Sequence, residues 1–150
     1  MKGLSVLSGG EWFVVDVTLV QKVIHNMAFT PIPAAPAAVV GIANMKGGII
    51  TLLSLSELLG YGRNPLAVSA VIFKSVTKGN DQMGLLIEKP EDLIVINEDE
   101  IIMLEIPFIS GLVKRKEKLY RIIDVDAIIN RYKESSDTIA QGGDENEEKN

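Results

Sequence analysis

Cysteine is absent from this chain of 150 residues, and histidine and aromatic residues are scarce. Without a thiol the protein forms no disulfide and offers no thiolate ligand or cysteine nucleophile, and this composition favours a reducing, cytoplasmic setting. One Trp, three Tyr and four Phe are too few to predict aromatic platforms for nucleic-acid bases. The single histidine, His25, has no catalytic partner or second metal ligand nearby in the sequence. We therefore expect no catalytic residue, no metal and no other cofactor.

Uninterrupted apolar segments and excess positive charge are also missing. Residues 23–45 contain no Lys, Arg, Asp or Glu, but three prolines and two asparagines break the run, so lipid could not accommodate its backbone. The first five residues lack the apolar core of a signal peptide. Residues 135–150 carry five acidic residues against one lysine, so −4 of the net charge of −5 belongs to them and the rest is nearly neutral. These features predict neither membrane insertion nor a nucleic-acid partner.

Isoleucine and valine are abundant instead. β-Branched side chains are stiff at χ1 and pack well on a pleated surface, so they favour strands. Short apolar runs alternate with turns such as Gly9-Gly10 and Lys46-Gly47-Gly48, a pattern typical of β-hairpins, and a polar loop, Thr77–Gln82, joins a third pair. We predict an all-β fold with short helices, whose strands cover residues 4–8, 11–17, 39–45, 49–53, 67–76, 83–88, 93–96, 101–104, 111–114 and 119–123.

A capping box marks the start of the first predicted helix. Ser54 and Glu57 fit the S-x-x-E pattern, in which each side chain accepts a hydrogen bond from the other residue's backbone N–H. The helix should run from about residue 55 to residue 59 and end at Gly60. The glycines of residues 41–48 superficially suggest a phosphate loop, but the Gly-Lys-Ser/Thr ending is missing, and a hairpin turn accounts for them better.

Asp124 and Asp126 form a carboxylate pair at strand spacing. A Mg²⁺ or Ca²⁺ site would need further oxygen ligands, which the neighbouring sequence does not indicate. Capping of a last helix, extending to about Tyr132, explains the pair more simply. We expect one of the two aspartates to be the N-cap.

An internal repeat with a constant offset is the strongest pattern in the sequence. The aligned positions are Gly41-Ile42-Ala43 with Gly111-Leu112-Val113, Ile49-Ile50 with Leu119-Tyr120, and Ser54 with Asp124. A capping residue between strand and helix in both halves is hard to obtain by chance. We infer one domain over residues 1–134 with two similar β units, about 1–64 and 65–134, each ending in a short helix. Residues 135–150 hold one large apolar side chain and are predicted to form an acidic disordered tail.

Three stretches of the chain together resemble the CheW-like family of chemotaxis coupling proteins. The most specific is a proline-rich approach, Thr30 to Pro36, followed by a hairpin that is similar to the family's Gly-hydrophobic-Asn-Leu-Arg-Gly pattern. The resemblance covers about residues 4–132. The first stretch is Phe13-Val14-Val15-Asp16-Val17 with Val20-Gln21-Lys22-Val23-Ile24, and the hairpin of the second is Gly41-Ile42-Ala43-Asn44-Met45-Lys46-Gly47-Gly48. The third stretch consists of Gly84-Leu85-Leu86-Ile87-Glu88, Phe108-Ile109-Ser110-Gly111 and Ile122-Ile123-Asp124-Val125.

This resemblance implies a fold and a set of partners. The fold would be two small SH3-like five-stranded β-barrels packed together, with an exchange of strands between the barrels left open. The protein would be a non-catalytic adaptor that couples the cytoplasmic tip of a chemoreceptor, held in an apolar groove between the barrels, to the regulatory domain of the histidine kinase CheA. The residues expected to contact these partners are Lys22, Ile42, Asn44, Lys46 and Gly47.

The chain departs from the family pattern at charged positions. The hairpin arginine of the family is Lys46 here, which loses the planar bidentate fork. A family glutamate falls on Lys22, which reverses the charge, and the aspartate before the helix is Ser54. These departures indicate a divergent adaptor with its own receptor or kinase. The alternatives are an adaptor of a non-chemotaxis two-component system and a small-ligand-binding β-barrel.

Overall fold

Antiparallel hairpins dominate the computed structural model, which describes residues 1–74 and 81–133. The fold is mostly β with few helices, and every predicted strand has a counterpart. The strands are β1 Lys2–Ser8, β2 Glu11–Asp16, β3 Val20–Ile24, β4 Val39–Met45, β5 Gly48–Ser54, β6 Ser69–Phe73, β7 Gln82–Ile87, β8 Lys89–Val95, β9 Ile102–Ile106, β10 Ile109–Arg115 and β11 Lys118–Ile123. The helices are α1 Leu55–Leu58, α2 over residues 125–133, and short 3₁₀ helices at Val17–Leu19 and Glu98–Glu100. Most of the predicted loop Thr77–Gln82 and the predicted tail lie outside the described residues.

Two open sheets replace the predicted pair of five-stranded barrels. The first sheet has six strands in the order β8-β1-β2-β11-β10-β9, and the second has five in the order β3-β6-β7-β5-β4. Within the described ranges no ladder joins β8 to β9 or β3 to β4, so the expectation of SH3-like barrels is not confirmed. The segment before β4 contains Pro31, Pro33 and Pro36, which have no N–H to donate, and its pairing with β4 is limited to the bridge Thr30–Ile42.

The hairpin-plus-helix repeat is confirmed by its register. In the first hairpin Val39 pairs with Leu53 and Gly41 with Leu52, and in the second the equivalent residues of the repeat pair in the same way, with a β-bulge at the same place. The parallel pairs obey the same offset, because Thr51 lies opposite Met83 in β5–β7 and Arg121 lies opposite Phe13 in β11–β2. Each sheet therefore combines strands from both halves of the sequence. The limits of the two units, about residues 1–64 and 65–134, stay a prediction.

Gly41 and Gly111 occupy the same crowded position in the two repeats. A Cβ atom at Gly41 would lie 2.4 Å from the carbonyl oxygen of Thr30, and one at Gly111 would lie 3.0 Å from that of Ile102. In each repeat the preceding segment crosses the bulge directly over the glycine. A residue without a side chain is therefore required for this close approach.

One of the two hydrogen bonds predicted for the cap of α1 is present. Ser54 Oγ accepts a hydrogen bond from the backbone N–H of Glu57 at 3.2 Å, so Ser54 is the N-cap. The reciprocal bond of the capping box is absent from the described structure, because the Ser54 N–H donates to the carbonyl of Ala38 at 2.8 Å. Ala38 has a φ of 72°, and this left-handed conformation lets its carbonyl serve as the acceptor. Gly60, with a φ of 82°, follows α1 as expected.

The second repeat reproduces this arrangement with other residues. Asp124 Oδ1 accepts from the backbone N–H of Ala127 at 3.0 Å, which decides between the two predicted caps in favour of Asp124. The Asp124 N–H donates to the carbonyl of Phe108 at 2.9 Å, and Phe108 has a φ of 68°. The cap is thus tied in both repeats to the start of its own hairpin.

The main core lies between the two sheets. Phe13 and Val15 of the first sheet meet Leu53, Val71 and Leu85 of the second, and all five are buried. Helix α2 covers one side of this core with Val125, Ile128, Ile129 and Tyr132. Each sheet encloses a smaller apolar cluster on its other face, around Ile50 and Leu52 in the second sheet and around Val14 and Val113 in the first.

Candidate partner-binding surfaces

The β4–β5 hairpin carries two of the predicted contact residues at its tip. Lys46 and Gly47 have φ angles of 50° and 79°, which is the pair of left-handed residues that a two-residue type I′ turn requires. Both are exposed. Next to the tip, the Ile49 N–H donates a hydrogen bond of 3.1 Å to Asp81 Oδ1. An exposed cation at the end of a hairpin suits a contact with a partner.

Ile42 and Asn44 line a shallow groove along the outer edge of β4. Ile42 is half-buried and Asn44 exposed, and both turn away from the cluster that Ala43 contacts in the second sheet. The groove measures about 650 Å³, and its other wall is the segment after β3. Its lining residues are Ile24, Asn26, Met27, Ala28, Phe29, Thr30, Ile42, Ala43, Asn44, Met45 and Ile49.

Lys22 lies on β3, at the opposite edge of the second sheet. It is half-buried, it pairs with Ile72 of β6, and the groove beside β4 does not include it. The structure therefore places Ile42, Asn44, Lys46 and Gly47 on one hairpin and leaves Lys22 on a separate edge.

An apolar surface whose residues were not among the predicted contacts lies on β8, beside β1. Leu93 and Val95 of β8 are 57% and 62% exposed, and Leu93 lies directly opposite Leu4 in the ladder. Leu4, Leu19, Val20 and Val23 are half-buried and pack against the central core, and the 3₁₀ turn Val17–Leu19 contacts β1. We call the set Leu4, Leu19, Val20, Val23, Leu93 and Val95 the junction strip. Residues 93–96 are four apolar residues in a row. This run could have indicated an exposed apolar surface, because an edge strand cannot bury both of its faces.

Strand β9 exposes a second apolar surface at the end of the first sheet. Ile102 and Ile106 are more than half exposed and Met103 is 76% exposed, while Leu104 packs against the central core. Within the described residues β9 pairs on one side alone, with β10. Exposed apolar side chains on an edge strand are typical of an interaction surface.

An ion pair between Arg115 and Glu100 stabilises the turn between β8 and β9. The Arg115 guanidinium bonds both carboxylate oxygens of Glu100, at 2.9 Å from Nε and 2.8 Å from Nη2, and also donates to the carbonyl of Val95. Glu100 also accepts from the Asn97 N–H at 3.0 Å. The hydrogen bonds from Arg115, and then that from Asn97, lower the pKa of Glu100 to about 2, and the same pairing raises the pKa of Arg115. Arg115 of β10 thus links the end of β8 to the turn that precedes β9.

Residues 1–74 and 81–133 contain no cluster of three His, Asp or Glu side chains placed to hold a metal ion. His25 is exposed beyond the end of β3. No helix in these ranges has the length and apolar character needed to cross a membrane.

A family model for the CheW-like domain matches residues 2–133. The chain belongs to the CheW-like domain family. Among relatives of this CheW-like chain, a chemotaxis protein CheW of Thermotoga maritima is 27% identical over 120 residues, covering 76% of this chain and 78% of that protein. A chemotaxis protein CheW of Rhizobium meliloti is 24% identical over 127 residues, covering 80% and 81%.

The CheW-like fold also has a counterpart among solved structures. The crystal structure of the scaffolding protein TtCheW from Thermoanaerobacter tengcongensis is similar with a TM-score of 0.71 and 24% sequence identity. The match covers 83% of this chain and 84% of that one. The overall fold is therefore shared with a known member of the family.

Proposed function

We propose that this CheW-like protein is a non-catalytic chemotaxis adaptor in the cytoplasm, which couples the tips of chemoreceptors to the regulatory domain of the histidine kinase CheA. The observation that carries the proposal is the family match over residues 2–133, on a fold whose edge strands expose apolar side chains. An adaptor needs several separate surfaces, because it binds more than one protein at once. The junction strip, β9 and the β4–β5 hairpin are three such surfaces on different edges.

The junction strip is the surface best suited to the receptor. Its aliphatic side chains are exposed or half-buried along the boundary of the two sheets, and an apolar helix face can pack along such a row. Lys22 is on β3, the strand that contributes Val20 and Val23 to the strip. A carboxylate on the receptor would complement this cation, whereas a positively charged receptor residue would be repelled.

The hairpin tip supplies the second contact. Lys46 projects from a stiff turn, and its ammonium is a single point charge where the family pattern has the planar arginine. We assign the five predicted contacts, Lys22, Ile42, Asn44, Lys46 and Gly47, to two places on the partner, one for β3 and one for the β4–β5 hairpin.

Charge reversal at the hairpin tests this function. Lys46→Glu should weaken binding to a receptor-tip fragment by more than about 1 kcal/mol, because like charges at an interface are costly. Lys46→Arg should preserve or strengthen binding, since it restores the bidentate fork. The matched control is Lys116→Glu, because Lys116 is the equivalent exposed turn residue of the second repeat, with a φ of 52°.

The measurement is a calorimetric titration of each variant, with circular dichroism to verify the fold. Exposed substitutions usually change stability by no more than about 0.5 kcal/mol, so all three variants should fold. If Lys46→Glu and Lys116→Glu bound as tightly as the unmodified protein, the hairpin would not be a receptor contact. If the unmodified protein bound neither the receptor tip nor the kinase domain, the adaptor function itself would be wrong.

A further inference from the structure

A cavity of about 380 Å³ opens at one end of the central core. One wall is the β1–β2 hairpin of the first sheet, and the other is α1 with the loop that follows it. The apolar floor consists of Phe13 and Leu55, both buried, and half-buried Leu59. A cavity of about 150 Å³ holds benzene, so this volume fits a molecule of roughly 15 non-hydrogen atoms.

A buried serine whose hydroxyl has no hydrogen-bond partner lines this cavity. Ser8 is 5% exposed, and its Oγ is the one buried side-chain oxygen or nitrogen in residues 1–74 and 81–133 that has no hydrogen-bond partner. Strand alternation places Ser8 on the same face of β1 as Val6, which is the face of the central core. Buried polar groups are normally hydrogen-bonded, so a hydroxyl left over beside a cavity points to a ligand atom.

The neighbouring polar groups already have partners of their own. Gly9 N–H and Asn64 Nδ2 both donate to Glu88 Oε1, at 2.7 and 3.0 Å. Ser56 Oγ is 3.1 Å from Ser54 Oγ. None of these groups bonds to Ser8, whose hydroxyl has no partner among the described residues.

The charge at the cavity mouth is a cation. Arg63 lines the mouth, is exposed, and forms no ion pair with any residue that the structure describes. The acidic lining residue, Glu11, is paired with Arg121 at 3.4 Å. An arginine fork matches a carboxylate in a bidentate geometry. Inorganic phosphate would match the fork as well, but it would leave the apolar floor uncovered.

We propose that this cavity binds a small monocarboxylate with an aromatic or branched apolar body. Arg63 holds the carboxylate at the mouth, Ser8 donates to a ligand oxygen, and the body covers Phe13, Leu55 and Leu59. The occupant touches the first sheet and the segment that follows the β4–β5 hairpin, so it tightens the contact between the β1–β2 hairpin and α1. This is a ligand-binding function in addition to the proposed adaptor function and does not depend on it.

Paired acids and amides test the proposal on the full chain. Indole-3-acetate and phenylacetate should bind saturably in isothermal titration, while indole-3-acetamide and phenylacetamide, which have the same shape without the charge, should bind at least about tenfold more weakly. Arg63→Gln should remove the preference for the acids. The matched control Arg131→Gln removes one cation from the exposed face of α2 and should leave it unchanged.

Ser8→Ala provides the second arm. It should raise the midpoint of urea unfolding, because it removes an unsatisfied buried hydroxyl, and it should weaken binding of the acids by several-fold. No binding of either acid at millimolar concentration would overturn the proposal. Equal binding of acids and amides, or unchanged binding in Arg63→Gln, would overturn it as well. Binding of inorganic phosphate as tight as that of the acids would show that the apolar floor has no role and would also refute it.

Discussion

Gly41→Ala is the substitution for which the structure predicts the largest effect from the smallest change. The added Cβ would lie 2.4 Å from the Thr30 carbonyl oxygen and 2.6 Å from Cδ2 of Phe29, against an ordinary contact of 3.4–4 Å. The Thr30 oxygen belongs to the backbone, so the whole segment must move by about 1 Å to restore van der Waals contact. That movement breaks the two hydrogen bonds between Thr30 and Ile42, which measure 2.8 and 2.9 Å.

The cost follows from these two contributions. Two hydrogen bonds contribute about 1 kcal/mol each, and overpacking adds about 1–3 kcal/mol, so Gly41→Ala should lower the free energy of unfolding by about 3–5 kcal/mol. Gly111→Ala is the matched variant. Its closest contact, at 2.7 Å, is Cγ2 of Ile101, a side-chain atom that can move aside, and the Ile102 carbonyl oxygen is at 3.0 Å. Gly111→Ala should therefore cost about half as much.

Urea unfolding of both variants, followed by circular dichroism, measures the difference. The segment that moves forms one wall of the groove beside Ile42, so Gly41→Ala should also weaken the binding of any partner seated there. If the two variants had equal midpoints, or if Gly41→Ala were as stable as the unmodified protein, the close approach of Thr30 would not be the reason for glycine at this position.

Four further changes test separate parts of the fold. Ser54→Ala and Asp124→Ala should each lower the free energy of unfolding by about 1 kcal/mol, because each removes an N-cap; equal urea midpoints with the unmodified protein would contradict the assignment of the caps. Glu100→Gln should lower stability at neutral pH. Because folding lowers the pKa of Glu100 from 4.5 to about 2, its contribution is present above pH 4.5 and is lost as the pH falls through 2, so thermal unfolding of variant and parent should converge in acid. Removal of residues 136–150 should leave the melting temperature nearly unchanged, because one large apolar side chain gives them little to bury; a drop of several degrees would show that they dock.

The local features of the fold could be predicted from the sequence because their causes are local. The Lys46-Gly47 turn, the Ser54 cap and the end of α1 at Gly60 depend on a few neighbouring residues, and the structure has all three. The internal repeat held in the structure down to the position of the bulge beside Gly41. Repeated backbone requirements leave the same residue types at the same spacing.

The features that sequence reasoning missed depend on distant parts of the chain. The Ser54 N–H donates to the carbonyl of Ala38, which lies at the start of the paired strand β4. The residues around Ser54 alone therefore could not show that the second hydrogen bond of the capping box is missing. The exposure of Leu93 and Met103 depends on β8 and β9 being sheet edges, and strand order is a property of the whole fold. The separation of Lys22 from the β4–β5 hairpin has the same origin.

The position of the β1–β2 hairpin within its sheet has a consequence for the order of folding. Strands β1 and β2 are synthesised before the other described strands, but their outer partners are β8 and β11, and β11 is the last of these strands to leave the ribosome. Pairings between strands far apart in the sequence carry a large cost in loop-closure entropy and make folding slow. The β1–β2 hairpin must therefore wait, with both edges unpaired, until the rest of the sheet has been made. Although the two halves are similar in sequence, neither half can complete a sheet without strands from the other.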